Sequence, residues 1–554
     1  MNTLILESLT QDFRDLWLHS GRAASRRQVD TFIQWCRSAS ISQLTEVNKA
    51  FSTQLASVPA GGEALCFAEH ALPLGGDPDL IRAARQTVGF FSRLHANVTE
   101  DMKLEQLAAA ADRLAERRPI RLTDVEVALC REFIIRAIGR RPPDPRNLRF
   151  RHGPGAVATH EKGLQKIHFR ETFISVDEYL GYDSEVLLRL PHAPQLFLER
   201  NEPITRVIAV PKDALRIRTI SCEPLTMQFF QQGLMDELFT RMVRRYGNHF
   251  PFANQSVSQR LAQMGSEAGY WGRSTQPCTI DMSNASDDVK VDHIRLLFPD
   301  EWADCLLAFR STAARFEELG REVELSTFAP MGAATCFPVE SLVFASIRYA
   351  AARLMRVYRE EDLWAVVGDD VITVAKAYDL TLDMLERAAF TPNVSKCCGP
   401  AVRFRESCGG DYFEGVSVTY ERPRQLPKWN RFQANVPTVQ LATALAHRGF
   451  VKTAQLIANT TKGPVAIGDG DAYAHPGLRW PVVGRTRYNR SLQRFEQQAV
   501  VEIPLPGTRL GAVDGWEPLY QWFTSGWRSE TSFPISKGRN MRVRKIWLPV
   551  SGQP

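Results

Sequence analysis

Apolar and polar positions recur with different periods along this chain, and the periods divide it. Up to about residue 140, apolar residues return three and four apart. "EQLAAAADRLAERR" (Glu105 to Arg118) and "DVEVALCREFIIRAIGRR" (Asp124 to Arg141) predict helices, the second capped by Thr123. "RRPPDP" (Arg140 to Pro145) ends that region, and a basic, glycine-containing loop follows, "RFRHGPGAVATHEKG" (Arg149 to Gly163). From Ile204 the pattern turns β-rich. "ITRVIAVPKDALRIRTISCEP" predicts two strands joined by a basic turn, and "LTMQFFQQGLMDELFTRMVRR" a helix after them.

From Cys278 the predicted order is strand, helix, helix, hairpin, helix, strand. The strand is "CTID", running into a turn and a helix start. The long helix is "ESLVFASIRYAAARLMRVY" (Glu340 to Tyr358) and the hairpin "LWAVVGDDVITV" (Leu363 to Val374). "DLTLDMLERAAF" (Asp379 to Phe390) is the last helix, and "YFEGVSVTYERP" (Tyr412 to Pro423) ends the series as a strand. This predicts an α+β layer with helices behind an antiparallel sheet. After Pro427, "VPTVQLATALAHRGFVKTAQLIANTT" reads as helical, and loops rich in Trp, Pro and Gly follow.

Composition narrows the class. At 554 residues the chain is too long for one simple core, so two to four subdomains are expected. Hydrophobic residues are 44% and charged residues 23%, which excludes long disorder. A net charge of +6 suits a nucleic-acid partner without demonstrating one. The ten cysteines include no CxxC pair and no zinc-finger spacing, so they read as ordinary thiols in a reducing cytoplasm. "MNTLILESLTQDFRD" has no basic leader region, and no apolar run reaches the ~20 residues a membrane span needs.

The chemistry starts with Asp369 and Asp370 at the hairpin tip, and with Asp281 at the end of "CTID". Burying unpaired carboxylates side by side is costly. If the strands are neighbours, three carboxylates converge at one sheet edge and suit hard divalent cations, two of which about 4 Å apart serve in-line phosphoryl transfer. A surface turn is the alternative for Gly-Asp-Asp. Lys212, Arg216 and Arg218 lie on one β-rich segment, with Arg216 and Arg218 on the same strand face, where they grip a triphosphate or merely solubilise an edge. Ser286 and Asp287 read a ribose hydroxyl or cap a helix. The Gly332-containing loop of "FAPMGAATCFPVESL" admits a nucleotide backbone or packs helix on sheet. Lys396 in "TPNVSKC" donates a proton to pyrophosphate or faces solvent. The stretch "SKGRNMRVRKIW" (Ser536 to Trp547) contacts RNA or water.

Taken together, "VPKDALRIRTISCEP", "TIDMSNASDD", "PMGAATCFPVESLVFAS", "VVGDDVI", "FTPNVSK" and "FRESCGGDYFEGVSV" resemble motifs F, A, B, C, D and E of positive-strand viral RNA-directed RNA polymerases. "FRESCG" beside "YFEGV" is especially similar to the replicase subunit of the leviviruses, the single-stranded RNA bacteriophages. The resemblance implies a right-hand polymerase of fingers, palm and thumb that replicates a phage genome from NTPs without a primer, in the cytoplasm of an infected bacterium. It divides the chain at 1–200 (helical region and part of the fingers), 201–275 (fingers), 276–425 (palm) and 426–554 (thumb and C-terminal region). Asp281 and Asp369 would carry two Mg²⁺ ions, with Mn²⁺ as a substitute, Asp370 as auxiliary ligand and Met282 offering its backbone carbonyl. Lys212, Arg216 and Arg218 would line the nucleotide channel, and Ser286 and Asp287 would sit near the ribose. The implied partners are template and product RNA, elongation factors Tu and Ts, and a small-subunit ribosomal protein, with no membrane. Two features depart from the family. Ala333 and Ala334 stand where relatives show Asn and Gly, and Asp288 stands where they show Ser, which makes it a candidate solvent-facing residue. The rival readings are a reverse transcriptase-like polymerase and a non-catalytic RNA-binding protein.

Overall fold

Hydrophobic residues three and four apart wind the start of the chain into α1 (Asn2–His19), α2 (Arg26–Ser38) and α3 (Ile41–Ser57). A short ribbon, β1 (Cys66–Phe67) and β2 (Leu72–Pro73), precedes α4 (Pro78–Gly89), α5 (Glu100–Ala115) and α6 (Asp124–Ile138). Thr123 caps α6 in a reciprocal box with Glu126. The computed structural model describes residues 2–20, 25–57, 66–67, 72–74, 76–94, 98–162, 165–166, 169, 171–180, 199–357, 363–400, 402–423, 436–458, 486–504 and 541–549.

β3 (Glu171–Phe173), α7 (Ile174–Leu180) and β4 (Glu199–Asn201) lead into β5 (Ile204–Pro211) and β6 (Ile217–Cys222). After β6 come α8 (Leu225–Tyr246), α9 (Ser256–Ser266), β7 (Pro277–Ile280) and β8 (Met282–Ser283). Then follow α10 (Ala285–Asp288), α11 (Val291–Leu297), α12 (Asp300–Ala308), β9 (Ala313–Phe316) and β10 (Arg321–Glu324). One sheet has the order β10-β9-β5-β6, with β9 parallel to β5 and the other pairs antiparallel. α5 covers it: Leu107, Ala110, Ala111 and Leu114 pack with Val207, Ala314, Phe316, Val323 and Leu325. The hydrophobic pattern does not predict the β9–β10 hairpin. Its strands turn only Ala314, Phe316 and Val323 fully inward and expose Arg315, Arg321, Glu322 and Glu324.

α13 (Cys336–Leu354) starts four residues earlier than predicted, and β11 (Ala365–Val367), β12 (Asp370–Val374) and α14 (Ala375–Arg387) follow it. The central sheet has the order β11-β12-β7, all antiparallel. Its Ile280, Val366 and Val371 share one core with α6, α8, α13 and α14. β13 (Thr391–Pro392) pairs with β8. The strand expected at 412–423 is instead part of a three-stranded sheet, β14 (Phe404–Ser407), β15 (Gly410–Phe413) and β16 (Val416–Ser417). The described architecture is α+β, with mostly antiparallel sheets.

The helical stretch expected after Pro427 is two helices, α15 (Val436–His447) and α16 (Val451–Ala458), parted near Gly449 at φ +84°. Their Ala442, Leu445, Ala454 and Ile457, with Phe450 between them, enter a second core with α1–α4 and with Phe404, Phe413 and Val418. Two buried contacts lock this unit. Asp12 of α1 accepts the N–H groups of Lys452 and Thr453 at 3.0 and 2.8 Å, capping α16 from another element. Arg85 of α4 meets Asp411 of β15 at 3.2 Å. The last sheet is β17 (Thr486–Asn489), β18 (Arg494–Pro504) and β19 (Met541–Pro549). The basic C-terminal stretch falls partly here. Lys537 and Arg539 lie outside the described residues, as do the side chains of Arg542, Arg544 and Lys545, whereas the Trp547 ring lies 4.2 Å from the Arg487 guanidinium. Among the described residues no helix is long and apolar enough to cross a membrane.

Candidate active site

Three strands bring the aspartates together. β12 pairs with β7 in the register Val371↔Ile280, which sets Asp370 opposite Asp281 at the same end of the sheet. The pair Val367↔Asp370 closes the β11–β12 turn on Gly368 and Asp369. Gly368 has φ +60°, and a Cβ there would meet the Phe337 ring at 2.7 Å. Its N–H donates to Ser341 Oγ at 2.9 Å, so α13 fixes the turn.

The charges are not balanced within the site. Burial, and then repulsion from Asp369, Asp281 and Glu406, pushes the Asp370 carboxyl up to about 7, although Oδ2 accepts the Cys408 N–H at 3.2 Å. Burial also raises Asp281, with Asp369 and Glu406 adding to it and Lys396 opposing. Lys396 Nζ lies 3.3 Å from Asp281 Oδ1, and Asn393 Nδ2 donates to Oδ2 at 3.1 Å. Burial works against the Lys396 charge, but Glu406, Asp281 and Asp370 outweigh it and hold its proton more tightly than usual. Lys212 has the opposite balance: burial, then Arg216, Arg218 and Lys396, lower it, and Asp369 pulls the other way.

The remaining expected site residues fall as follows. Arg218 lies on β6, exposed, and across from Val210. Arg216 lies just before the first residue of β6, exposed like Arg218 and bound to Asp213 at 2.5 Å. Asp213 shapes the turn there, accepting the Leu215 and Arg216 N–H groups at 3.0 and 2.9 Å. Met282 is buried on β8, opposite Pro392. Ser286 and Asp287 are buried in α10, where the Asp287 carboxylate faces Arg113 at 3.5 Å. Asp288 does not face solvent. It is 3% exposed, with Arg118 at 3.7 Å, and burial raises it to about 6 against that cation. Gly332 has φ +123°, and the Ser221 carbonyl oxygen lies 2.0 Å from where its Cβ would be, so the β6 backbone fills the space a side chain would need.

Sequence reasoning passed over three groups. Glu340 sits on α13 with its Oε1 beside Gly368, and burial, then Asp369, holds it well above the carboxylate range. A lone acid inside the apolar run "FPVESLVFAS" is its signal. Glu406 of β14 acts on Asp281, Asp370 and Lys396 together. Arg113 carries no motif. Among the described residues, no three His, Cys, Asp or Glu side chains are placed to hold a metal ion by themselves. The donor chemistry nevertheless suits hard cations: acceptor carboxylates, raised by burial and by one another, gather where added positive charge would relieve them.

Part of the chain that carries this geometry is similar to known proteins. Residues 186–427 match the family described as RNA replicase, beta-chain. The chain is 36% identical over 216 residues to the RNA-directed RNA polymerase subunit beta of Enterobacteria phage SP, a stretch covering 39% of this chain and 35% of that protein. It is 29% identical over 296 residues to the corresponding subunit of Escherichia virus Qbeta, covering 53% and 48%. With the RNA-directed RNA polymerase beta chain of Enterobacteria phage fr it shares 30% over 213 residues, covering 38% and 36%. The matches thus span about a third to a half of each relative's length. All three aspartates, Lys212, Arg218, Glu340 and Lys396 lie within 186–427, the segment that is similar to the RNA replicase beta-chain family.

Proposed function

We propose that the chain is the polymerising subunit of an RNA-phage replicase, an RNA-directed RNA polymerase acting on single-stranded RNA in the cytoplasm of an infected bacterium. The observation that carries this reading is the convergence of Asp281, Asp369 and Asp370 at one end of the β11-β12-β7 sheet, with Lys396 and Lys212 beside them. In a right-hand arrangement that sheet with α13 and α14 is the palm, the β10-β9-β5-β6 sheet under α5 belongs to the fingers, and α15–α16 begin the thumb.

Asp281 and Asp369 would hold two Mg²⁺ ions, or Mn²⁺ in their place, with Asp370 and the Met282 carbonyl as auxiliary donors and with water and phosphate oxygens completing the shells. Bound there, the ions would activate the attacking hydroxyl and neutralise charge on the transferred phosphoryl group. Lys212 and Arg218 bind the triphosphate and hold the leaving pyrophosphate in place, while Arg216 divides its charge with Asp213. Ser286 and Asp287 face the ribose. Lys396 carries a proton at Nζ, positioned as donor to the departing pyrophosphate. Synthesis starts without a primer, and host elongation factors Tu and Ts, with a small-subunit ribosomal protein, complete the working assembly.

The test measures Mg²⁺-dependent nucleotide incorporation by the full chain and its copurifying partners on RNA and on DNA templates. Ribonucleotide incorporation on RNA supports the reading. Deoxynucleotide incorporation on RNA would favour a reverse transcriptase, and RNA binding without incorporation a non-catalytic role.

A further inference from the structure

The end of α5 reaches into the candidate site from outside the family-matched segment. Arg113, in its last turn, places Nε 3.5 Å from Oδ2 of Asp287, with both side chains largely buried. The Asp287 peptide is clamped as well. Its N–H donates to the Asn284 carbonyl at 2.9 Å, and its own carbonyl accepts from Thr327 Oγ1 at 2.6 Å. Lys290 Nζ ties these parts together, donating to the Arg113 carbonyl at 2.7 Å and to Thr327 Oγ1 at 3.1 Å. Oδ1 of Asp287, in contrast, has no hydrogen-bond partner among the described residues. The carboxylate is therefore anchored at one oxygen and unpartnered at the other among the described residues, six positions after the strand-end Asp281.

We infer that Arg113 is a positioning residue for sugar recognition: it orients Asp287 so that the available oxygen accepts a hydrogen bond from the 2′-hydroxyl of an incoming ribonucleotide. This rests on the polymerase reading above. A carboxylate this buried stays ionised only beside a cation, and one oriented through a single oxygen swings away once that cation is removed. The same helix packs Leu107, Ala110, Ala111 and Leu114 against the sheet that carries Arg218, so sugar and triphosphate contacts are set from one element. A 2′-deoxynucleotide offers Asp287 nothing, and a site built to bond a hydroxyl discriminates strongly against the analogue lacking it.

The experiment compares kcat/KM for a ribonucleotide and its 2′-deoxy counterpart on one RNA template, using the chain with its copurifying partners as wild type, Arg113→Ala, Arg113→Lys, Asp287→Asn and the Arg113→Ala/Asp287→Asn double variant. The ribo-to-deoxy ratio should fall about tenfold or more in Arg113→Ala. Arg113→Lys keeps the cation and should give an intermediate ratio. The double variant should discriminate no worse than Asp287→Asn alone, because both changes remove one interaction. A merely structural role would slow both sugars alike. A ratio at the wild-type value in the folded Arg113 variants, or losses that add fully in the double variant, overturns the assignment. No ribonucleotide incorporation by wild type with its copurifying partners sinks the polymerase reading itself, whereas incorporation with an unmoved ratio sinks only the role of Arg113.

Discussion

The cations around the aspartates differ in what they already hold. Arg216 is bound to Asp213, whereas Arg218 is exposed on β6 with no ion pair among the described residues. Removing Arg218 should therefore cost more triphosphate binding than removing Arg216. We expect Arg218→Ala to lower kcat/KM for NTPs by roughly tenfold or more and Arg216→Ala by less, with RNA affinity at fixed salt unchanged in both. A fall in RNA affinity alone would move Arg218 to the template path.

His293 offers a residue-scale test of the fold. It is fully buried; Nδ1 accepts the Lys290 N–H at 3.0 Å, and Nε2–H donates to the Ala388 carbonyl at 2.7 Å. Both nitrogens are committed to the neutral ring, and burial lowers the pKa to about 4. The unfolded chain takes up this proton near the ordinary 6.5, so the folded state binds fewer protons between the two values. Stability is then full above about 6.5 and declines as pH falls toward 4, by an amount on the order of 3 kcal/mol. Urea midpoints at pH 5 and pH 7.5 should differ less in His293→Gln than in wild type, and an equal difference would remove His293 from the account. The residue types of the site were legible because aspartates at strand ends and glycine before a tight turn have local signatures. Arg113 was not, because only the packing of α5 brings it to Asp287, 174 positions away.

Among elements, the contact between β6 and the loop before α13 is the tightest in the site. Ser221 N–H donates to the Met331 carbonyl at 2.7 Å, and Gly332 leaves room for the Ser221 carbonyl. Gly332→Ala should destabilise the protein by roughly 1–3 kcal/mol, since a backbone oxygen cannot swing away and the φ is unsuited to a side chain. Gly269→Ala, at a glycine with open space around it, should stay within about 0.5 kcal/mol. Denaturant melts of both variants check this, and equal shifts would contradict it. The helices and the two strands flanking the central turn were readable because their apolar periods are long and regular. The β9–β10 hairpin and the β14-β15-β16 sheet were not, because four-residue strands with charged positions carry little periodicity of their own.

For the whole molecule, the instructive feature is the second core, in which α1–α4 join residues more than 300 positions later. Gly89 shows how close the fit is, since a Cβ there would strike the Tyr420 ring at 2.2 Å. No local pattern announces such a partnership, because each helix shows only that it has an apolar face. Asp12→Ala removes the cap from α16 and should cost about 0.5–2 kcal/mol, read as early exchange of α16 amide hydrogens. Unchanged protection of α16 would contradict it.

The central claim is that the carboxylates at the end of the β11-β12-β7 sheet serve phosphoryl transfer and not folding. The most direct measurement is Mg²⁺-dependent ribonucleotide incorporation on an RNA template by wild type and Asp369→Asn, with thermal melts of both. Asp369 is exposed at the turn, so the substitution should leave the melt nearly unchanged while synthesis falls by about a thousandfold or more. Synthesis close to wild type with an intact fold would contradict the account.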